Sequence, residues 1–511
     1  MLCLDKQMDQ FLDEAVEQIS YKGIRPSIRR ELEAHIQDRA EEYEGQGMDP
    51  EEAVKKAVHD MGDAVVVGTE LNEVHQLQKA PGLALVSALL LAIGFAFALY
   101  LQFLPEQQSG RVLYYLIGAA VLALTAWKGY PLFVRHAKMG VMLVVLGYLM
   151  QITMLLAAHH RNFMAGSASY TYIATLLYAP VVTFLLYRFR KNSRKLLAVL
   201  FGFVGVWFYL IQNCHLYNIE TAETICLLSI FATGCFMIHR EILTGAKHRL
   251  YLVAAGIFLV IAGIIIYHPP GYSRRTFDTF LSPESNVTST WDDSYNGILI
   301  QELLRRTPLM SGIELTPDEM MDYGTGAWYF ASRDPKQIGI DMTSMTSEEY
   351  LEQKAYINEI RKQGGRPQYI YYTRDTVTQW DILPQHYHNN YLIAVCILMF
   401  GWLPGIAFVG VILMFYLFLF SCIRKIYGEL AATLAFCCGQ CLLWQTIFYV
   451  LGNFGYQYCT FPNLPLVSEG RFSIIFNLIL LGMIYSAYRY DHVVECWEET
   501  YNESVKEVLP K

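Results

Sequence analysis

The amino-acid sequence predicts an all-α fold: a polytopic membrane helix bundle of about ten spans, with a small cytoplasmic helical head and a long extracytoplasmic loop. Three observations carry this expectation. Of 511 residues, 54% are hydrophobic and only 17% charged, with mean hydropathy +0.26, which is too apolar for a soluble chain of this length. Ten runs, near 82–104, 112–127, 139–157, 171–187, 195–212, 221–238, 250–267, 391–421, 427–452 and 472–488, approach the roughly 20 apolar residues that a helix needs to cross hydrocarbon. The basic residues also segregate. With the N-terminus in the cytoplasm, Lys128, Arg135, Lys138, Arg188, Arg190, Lys191, Arg194, Lys195, Arg240, Lys247, Arg249, Arg424 and Lys425 all fall inside. The short outer loops keep Arg111, Arg161 and Arg471. That asymmetry is the positive-inside pattern, and it predicts a multi-pass protein of the plasma membrane with both termini cytoplasmic. The first apolar run is not expected to be a secretory signal, because a long polar stretch precedes it and no small-residue cleavage site closes it.

The head, 1–80, reads as three or four helices. In "IRPSIRRELEAHIQDRAEEYEGQG", Ile28, Leu32, Ile36 and Tyr43 form a helical stripe, and Gly45 or Gly47 is the expected stop. "MDPEEAVKKAVHDMGD" then opens with Asp49 as N-cap, Pro50 at the first helical position and Glu52 three after the cap, all helix-start signals. Gly62 supplies the expected end. His35, His59 and His75 are too far apart in sequence to suggest a metal site and read as surface or packing residues. The stretches "RRELEAHIQDRAEEYEGQGMDPEEAVKKAVHDMGD" and "ELNEVH" resemble the small permease-prefix domain that precedes membrane transport domains in Gram-positive bacteria. The resemblance implies an adaptor or sensing role.

The net charge of -8 comes from the soluble parts, and no basic stripe with interleaved aromatics points to nucleic acid. None of the 11 cysteines falls between 268 and 390, so the outer segment has no disulfide framework. Cys226, Cys235, Cys437, Cys438 and Cys441 lie within apolar runs and read as small buried hydrophobes. The outer segment, about 269–390, carries Trp291, Trp328 and Trp380 and helical candidates at 294–306 and 346–363. The alternating charges of the second mark a solvated helix face. At over 100 residues the segment is too long for a structureless connection, so function is expected there.

The outer segment ends in "ILPQHYHNNYLIAV". His386 and His388 would point the same way on a strand, with Asp381 near, but a zinc or iron site needs three or four ligands, and no further one is spaced to join them. No metal is therefore assigned. The alternatives are an interfacial loop or a catalytic mouth.

The order of motifs resembles the SEDS family (the FtsW, RodA and SpoVE type), ten-span membrane proteins that polymerise cell-wall glycan strands from lipid II. "RRTFDTFLSPESNVTSTWDDSYNG" supplies Arg274 or Arg275, Phe280, Pro283 and Tyr295 in the order of the start of that family's long outer loop. "LPQHYHNNYLIAV" matches its end at Leu383, Pro384, His388, Ala394 and Val395. "NFGYQYCTFPNLPLVSEGRFS" matches a third motif at Asn453, Gly455, Pro462, Leu464, Pro465, Ser468, Gly470 and Ser473. The resemblance spans about 82–490, with 491–511 as a cytoplasmic tail, and implies a rim of Pro384, His388, Pro465, Ser468 and Arg471. It also implies peptidoglycan biogenesis in cell division, shape or sporulation, with lipid II and a class B penicillin-binding protein as partners. No cofactor is evident, and a divalent cation goes with the activity where that is retained.

The sequence departs from the family at charged positions. Asn390 stands where the family carries its acid or base Asp, and Asn389 replaces the neighbouring Thr. An amide cannot take a proton from an attacking hydroxyl. Leu398 and Met399 occupy the place of paired glutamates. "AGSASYTYIATLL" lacks the Glu and Lys of the motif before span four, and "NIETA" has Asn218 for Asp and Glu220 for Gly. Carboxylates that could take over the acid role are Asp381, Asp375 and Glu469, with Glu220 in another outer loop. A Glu469–Arg471 pair could be a relocated site, but in most proteins such a pair is a surface ion pair worth about 1 kcal/mol or less. Three readings follow: a divergent glycosyltransferase with a relocated acid, a non-catalytic membrane scaffold or regulator, and a lipid flippase or transporter. The last calls for ionisable residues inside spans, and none interrupts the runs near 82–104, 250–267 or 391–421.

Overall fold

A computed structural model describes residues 4–102, 113–160, 175–213, 219–267, 280–287, 293–330, 377–384, 387–457, 461–468, 470, 472–491 and 493. The helical candidate at 346–363, the "AGSAS" stretch, Trp291, Arg274 and Arg275 lie outside them. Helix is the regular structure throughout the described residues.

Four helices build the head: α1 Leu4–Glu17, α2 Arg25–Gly45, α3 Pro50–Asp60 and α4 Ala64–Val74. Ile28, Leu32, Ile36 and Ala40 of α2 are buried, so the stripe continues through Ala40. Tyr43 stays half-exposed, and its hydroxyl donates to Asp60 at 2.5 Å. Asp49 and Asp63 cap α3 and α4, accepting from the N–H of Glu51 and of Val65 and Val66, groups that a helix start leaves unpaired. Gly47 and Gly62 take positive φ just beyond the ends of α2 and α3.

The apolar helices follow as α5 Pro81–Gln102, α6 Leu113–Arg135, α7 Ala137–His160, α8 Tyr178–Arg188, α9 Ser193–Asn213, α10 Ile219–His239 and α11 Lys247–Tyr267. After the outer segment come α14 Leu392–Phe400, α15 Trp402–Arg424, α16 Glu429–Asn453 and α17 Ser473–Arg489. Among the described residues six of these are long and apolar enough to cross a membrane, and shorter apolar helices lie at Ala137–Thr153 and Ser473–Arg489. The protein is a polytopic helical membrane bundle. Its centre is α16, which packs against α17, α10, α8 and α15, while α6 lies along α17. Leu85, Leu116, Leu124, Phe201, Leu252 and Leu417 face outward, as expected where lipid replaces water as solvent.

Polar side chains tie the turns at one end of the bundle. Asp491, 2% exposed, accepts from the N–H of Tyr427 and Gly428 at 2.7 and 2.8 Å, placing a carboxylate at the positive start of α16. Arg240 donates to the carbonyls of Ile426 and Arg424 beyond and at the end of α15.

The outer segment contributes α12 Asp293–Arg306 and α13 Pro317–Thr325, the first close to the expected 294–306. Tyr295 donates to the carbonyl of Tyr323 at 3.0 Å and accepts from Trp328 Nε1 at 2.9 Å, folding α13 onto α12. α12 in turn packs on α14 and α16.

The run 391–421 is where expectation and structure part. It is not one span. α14 is nine residues long and buried from Leu392 to Leu398, and at 1.5 Å per residue it covers roughly 13 Å, less than half the hydrocarbon thickness. The break is Gly401, with φ 94° and ψ 174°. α15 then returns alongside α14: a Cβ on Gly405 would fall 2.2 Å from Ile397 Cγ1. Residues 304–313 brace the reversal. The N–H groups of Trp402 and Leu403 donate to the carbonyls of Pro308 and Leu309, and Ile313 N–H donates to Leu398. Hydropathy cannot see this break, because both limbs are apolar and the fault is in φ.

A Cβ at Gly401 would meet Leu309 O and Ser311 N at 2.8 Å. Gly401→Val is expected to destabilise the protein by about 1 to 3 kcal/mol from backbone strain alone. Gly410→Ala in the open middle of α15 should be neutral or slightly stabilising. Thermal unfolding midpoints in detergent check the pair, and equal midpoints would contradict this account of the turn.

Candidate functional site

The N-terminus of α14 lies in the interior, where its first N–H groups cannot reach water. Side chains of α16 satisfy them. Asn453, fully buried, accepts through Oδ1 from Ile393 N–H and Ala394 N–H at 3.0 and 3.1 Å. Its amide nitrogen donates to the carbonyls of Asn390 and Tyr449 at 2.9 and 2.8 Å. The Tyr449 hydroxyl accepts from Leu392 N–H at 3.0 Å and donates to Asn389 O at 2.8 Å. One turn of chain, 389–394, is thus bound to two side chains one helical turn apart.

The stretch after α16 closes on the same turn. Ser468 Oγ donates to Asn389 O at 3.0 Å and accepts from Leu464 N–H at 3.0 Å. Asn389 Nδ2 donates to Asn463 Oδ1 at 3.0 Å. Residues 464–468 are held from beneath by α5 and α6. The Tyr115 hydroxyl donates to Val467 O at 2.6 Å, and Gly94 admits the Val467 backbone so closely that a Cβ would lie 2.7 Å from it. Leu466 takes φ 69° in this turn. The Tyr391 ring packs at a tilt against Phe461, centroids 4.6 Å apart, and Phe461 in turn lies over Gly452, where a Cβ would come within 2.3 Å of the ring.

Of the residues expected at the rim, Pro384, Pro465 and Ser468 are buried and His388 is half-buried, its ring edge-on to Tyr387. Trp380 stacks on Tyr387 at 5.6 Å. Residues Tyr387–Asn390 form a turn of helix, so His388 does not lie on a strand, and the alternation invoked to pair it with His386 does not hold at its position. His386, Asp375, Glu469 and Arg471 lie outside the described residues. Among the described residues no group of three or more His, Cys, Asp or Glu is placed to hold a metal ion.

Asn390 is half-buried and enters the network through its carbonyl. Asp381 is engaged locally, its carboxylate accepting from Thr378 N–H at 2.9 Å and Thr378 Oγ1 at 2.7 Å. Asn389 Oδ1 is buried without a hydrogen-bond partner among the described residues. Among the described residues Tyr449, Asn453 and Ser468 are buried and bonded within this turn, so what it presents outward is the half-buried Asn389, Asn390, Asn463 and His388, side chains suited to hydrogen-bonding a polar, uncharged group. An apolar hollow of Leu303, Ile313, Trp380, Ile382, Leu383 and Leu398 adjoins it.

The motif includes Asn453 and Ser468 but not Tyr449, Gln445 or Asn463, which share the holding. Tyr449 and Gln445 belong to a stripe at intervals of four, Cys437, Cys441, Gln445, Tyr449 and Asn453, all buried in α16. Gln445 donates to Asn477 Oδ1 at 2.9 Å, joining α16 to α17. The spacing was present in the sequence, but Cys and Tyr passed as apolar.

Fold and site together define a polytopic helical membrane protein in which two stretches more than 70 residues apart meet in an amide-rich turn. No protein-family model matches the chain, and no curated protein matches it. Among solved structures, a chain described under structural coordination of polymerization and crosslinking by a peptidoglycan synthase complex is similar. It shares 14% identity and a TM-score of 0.49, covering 81% of this chain and 98% of that one.

Two predictions follow from the geometry. Asn453→Leu strands two interior N–H groups and should cost roughly 2 to 6 kcal/mol, at about 1 to 3 per unsatisfied group. Ser468→Ala leaves Tyr449 on Asn389 O but strands the single N–H of Leu464, and should cost about half as much, roughly 1 to 3 kcal/mol. Denaturation in detergent checks both, and equal losses would contradict the network. In the outer segment, Arg306 pairs with Glu319, which also accepts from Thr316. Those bonds, Arg306 first, push the Glu319 carboxyl down to about 2 from its ordinary 4.5. A depressed carboxyl stabilises above its ordinary value and loses that contribution as pH falls toward about 2. Proteolytic cutting near α13 should rise across that acid range, and Arg306→Met should remove the dependence.

Proposed function

We propose that the protein is a SEDS-like protein of bacterial cell-wall (peptidoglycan) biogenesis, whose outer rim binds a lipid-linked glycan precursor of the lipid II type. The observation that supports this reading is the meeting of Asn389 and Asn390 with Asn453, Asn463 and Ser468. The stretches that resemble the family at 383–395 and 453–473, read independently in the sequence, converge on one surface. The half-buried amides of Asn389 and Asn463 suit sugar hydroxyl and N-acetyl groups. The rim lies on the outer face of the plasma membrane, both termini are cytoplasmic, and the membrane partner is a single-span transpeptidase of the class B penicillin-binding type. The process served is division, shape or sporulation.

Asn390 and the engaged Asp381 favour a second form of the same reading, a scaffold or regulator that binds precursor or partner without polymerising. In the catalytic form the acid comes from Asp381, Asp375 or Glu469, with a divalent cation countering the diphosphate leaving group.

The test is binding and polymerisation of labelled lipid II by the purified full-length protein, with and without a divalent cation and a candidate transpeptidase. Lipid II should bind, and Asn389→Leu should weaken it by about tenfold, the equivalent of one lost hydrogen bond of roughly 1.4 kcal/mol. Absence of binding under every condition overturns the proposal. Polymer that vanishes in Asp381→Ala or Glu469→Ala and survives Asn390→Ala assigns a relocated acid. Binding without polymer assigns the scaffold.

A further inference from the structure

α10 carries a glutamate four residues into its length, Glu223, with 0% of its surface exposed. Neither carboxylate oxygen has a hydrogen-bond partner among the described residues. A charge buried away from water is costly unless paired, and an ionisable residue inside a membrane span points to function.

The surroundings are specific. The Tyr148 hydroxyl on α7 faces the Glu223 carboxylate and makes no hydrogen bond of normal geometry. One turn further along α7, Gln151 is 1% exposed. Its amide nitrogen donates to Thr175 Oγ1 at 2.7 Å, which leaves Gln151 Oε1 buried and without a partner among the described residues. Cys226, one turn below Glu223, donates to Thr175 O at 3.0 Å, so Gln151 and the Glu223 face of α10 converge on one residue. Tyr178 of α8 packs on Tyr148, centroids 4.7 Å apart. It reaches α7 only because Gly147 has no Cβ, which would fall 1.9 Å from the Tyr178 oxygen.

Among the described residues the titratable groups facing this place are Tyr148 from α7, Tyr178 from α8, Cys226 from α10 itself, and Cys437 and Cys441 from α16, which lie against Cys226. Among the described residues no Lys, Arg or His from these helices, nor from α9 or α11, lies against Glu223. Among the described residues the cluster therefore presents unpartnered oxygens and no cation to answer them. A single positive charge would complete it: a proton on the carboxyl, donated onward to a neighbouring oxygen, or an alkali ion held between them.

We propose that Glu223, Gln151 and Tyr148 form an intramembrane site for one exchangeable positive charge, a proton or an alkali cation, which links α10 to α7. The site is separate from the rim and does not rest on the rim's substrate.

The test uses the full-length protein in detergent. Thermal unfolding is followed in sodium chloride against choline chloride, and the carboxyl infrared band is followed from about pH 5 to about pH 10, for wild type and Glu223→Gln. A midpoint that rises with sodium only in wild type supports the site with an alkali occupant. A protonated-carboxyl band that is absent from Glu223→Gln, exchanges with deuterium and is lost reversibly at high pH supports the site with a proton. Gln151→Leu keeps the carboxylate and should shift either response by about tenfold in occupant concentration, which keeps the test valid should Glu223→Gln fail to fold. Wild type with no sodium response and no reversible carboxyl band overturns the proposal.

Discussion

The structure around the rim depends on one constraint: a helix begins where water cannot reach its first N–H groups. α14 is buried along its length, and Asn453 meets this need with both halves of its amide, accepting from Ile393 and Ala394 and donating to Asn390 and Tyr449. Once Asn453 is fixed, Tyr449 one turn below is placed to bind Leu392 and Asn389. Asn389 then meets Ser468 and Asn463. The surface at 389 and 390 follows from the interior, because the same bonds that satisfy the helix start set the position of these residues.

This arrangement accounts for the short helix as well. A full-length span from 391 would carry its first turn to the membrane surface, where water serves the N–H groups. With the turn at Gly401 the helix stays inside, and α16 must provide polar partners in its final turns. Cys437, Cys441, Gln445 and Tyr449 extend that polar edge inward along α16. Cys441 Sγ comes to 3.9 Å from Leu176 O, and Cys226 of α10 approaches the adjacent carbonyl of Thr175. The rim and the Glu223 cluster are thus two ends of one polar seam in an otherwise apolar bundle. Polar contacts of this kind hold helices together in lipid, where burial of apolar surface supplies no preference for a neighbour.

Much of the architecture was legible because it rests on hydropathy and caps. Most apolar runs became helices, the Asp49 and Gly62 signals began and ended a helix of the head, and α12 lies close to its expected place. The break at Gly401 was not legible, because it turns on one positive φ within continuous apolar sequence. At the site, Pro384, Ser468 and Asn390 were named from motif order alone, while Tyr449, Gln445 and Asn463 were not. Their role is to satisfy backbone groups from a distant segment, and no local pattern records that. Glu223 was visible as a lone acid in the run 221–238, but only its burial against Tyr148 and Gln151 distinguishes it from an acid at a span end.

The central claim is that residues 388–390 and 463–468 form one binding surface for a lipid-linked glycan. The most direct measurement is photo-crosslinking of labelled lipid II to full-length protein carrying a photoreactive side chain at His388, at Asn463, or at Val65, which is exposed on the head. The account predicts adducts at His388 and Asn463, competed by unlabelled precursor, and none at Val65. Adducts absent from both rim positions, or equal at all three, would contradict it.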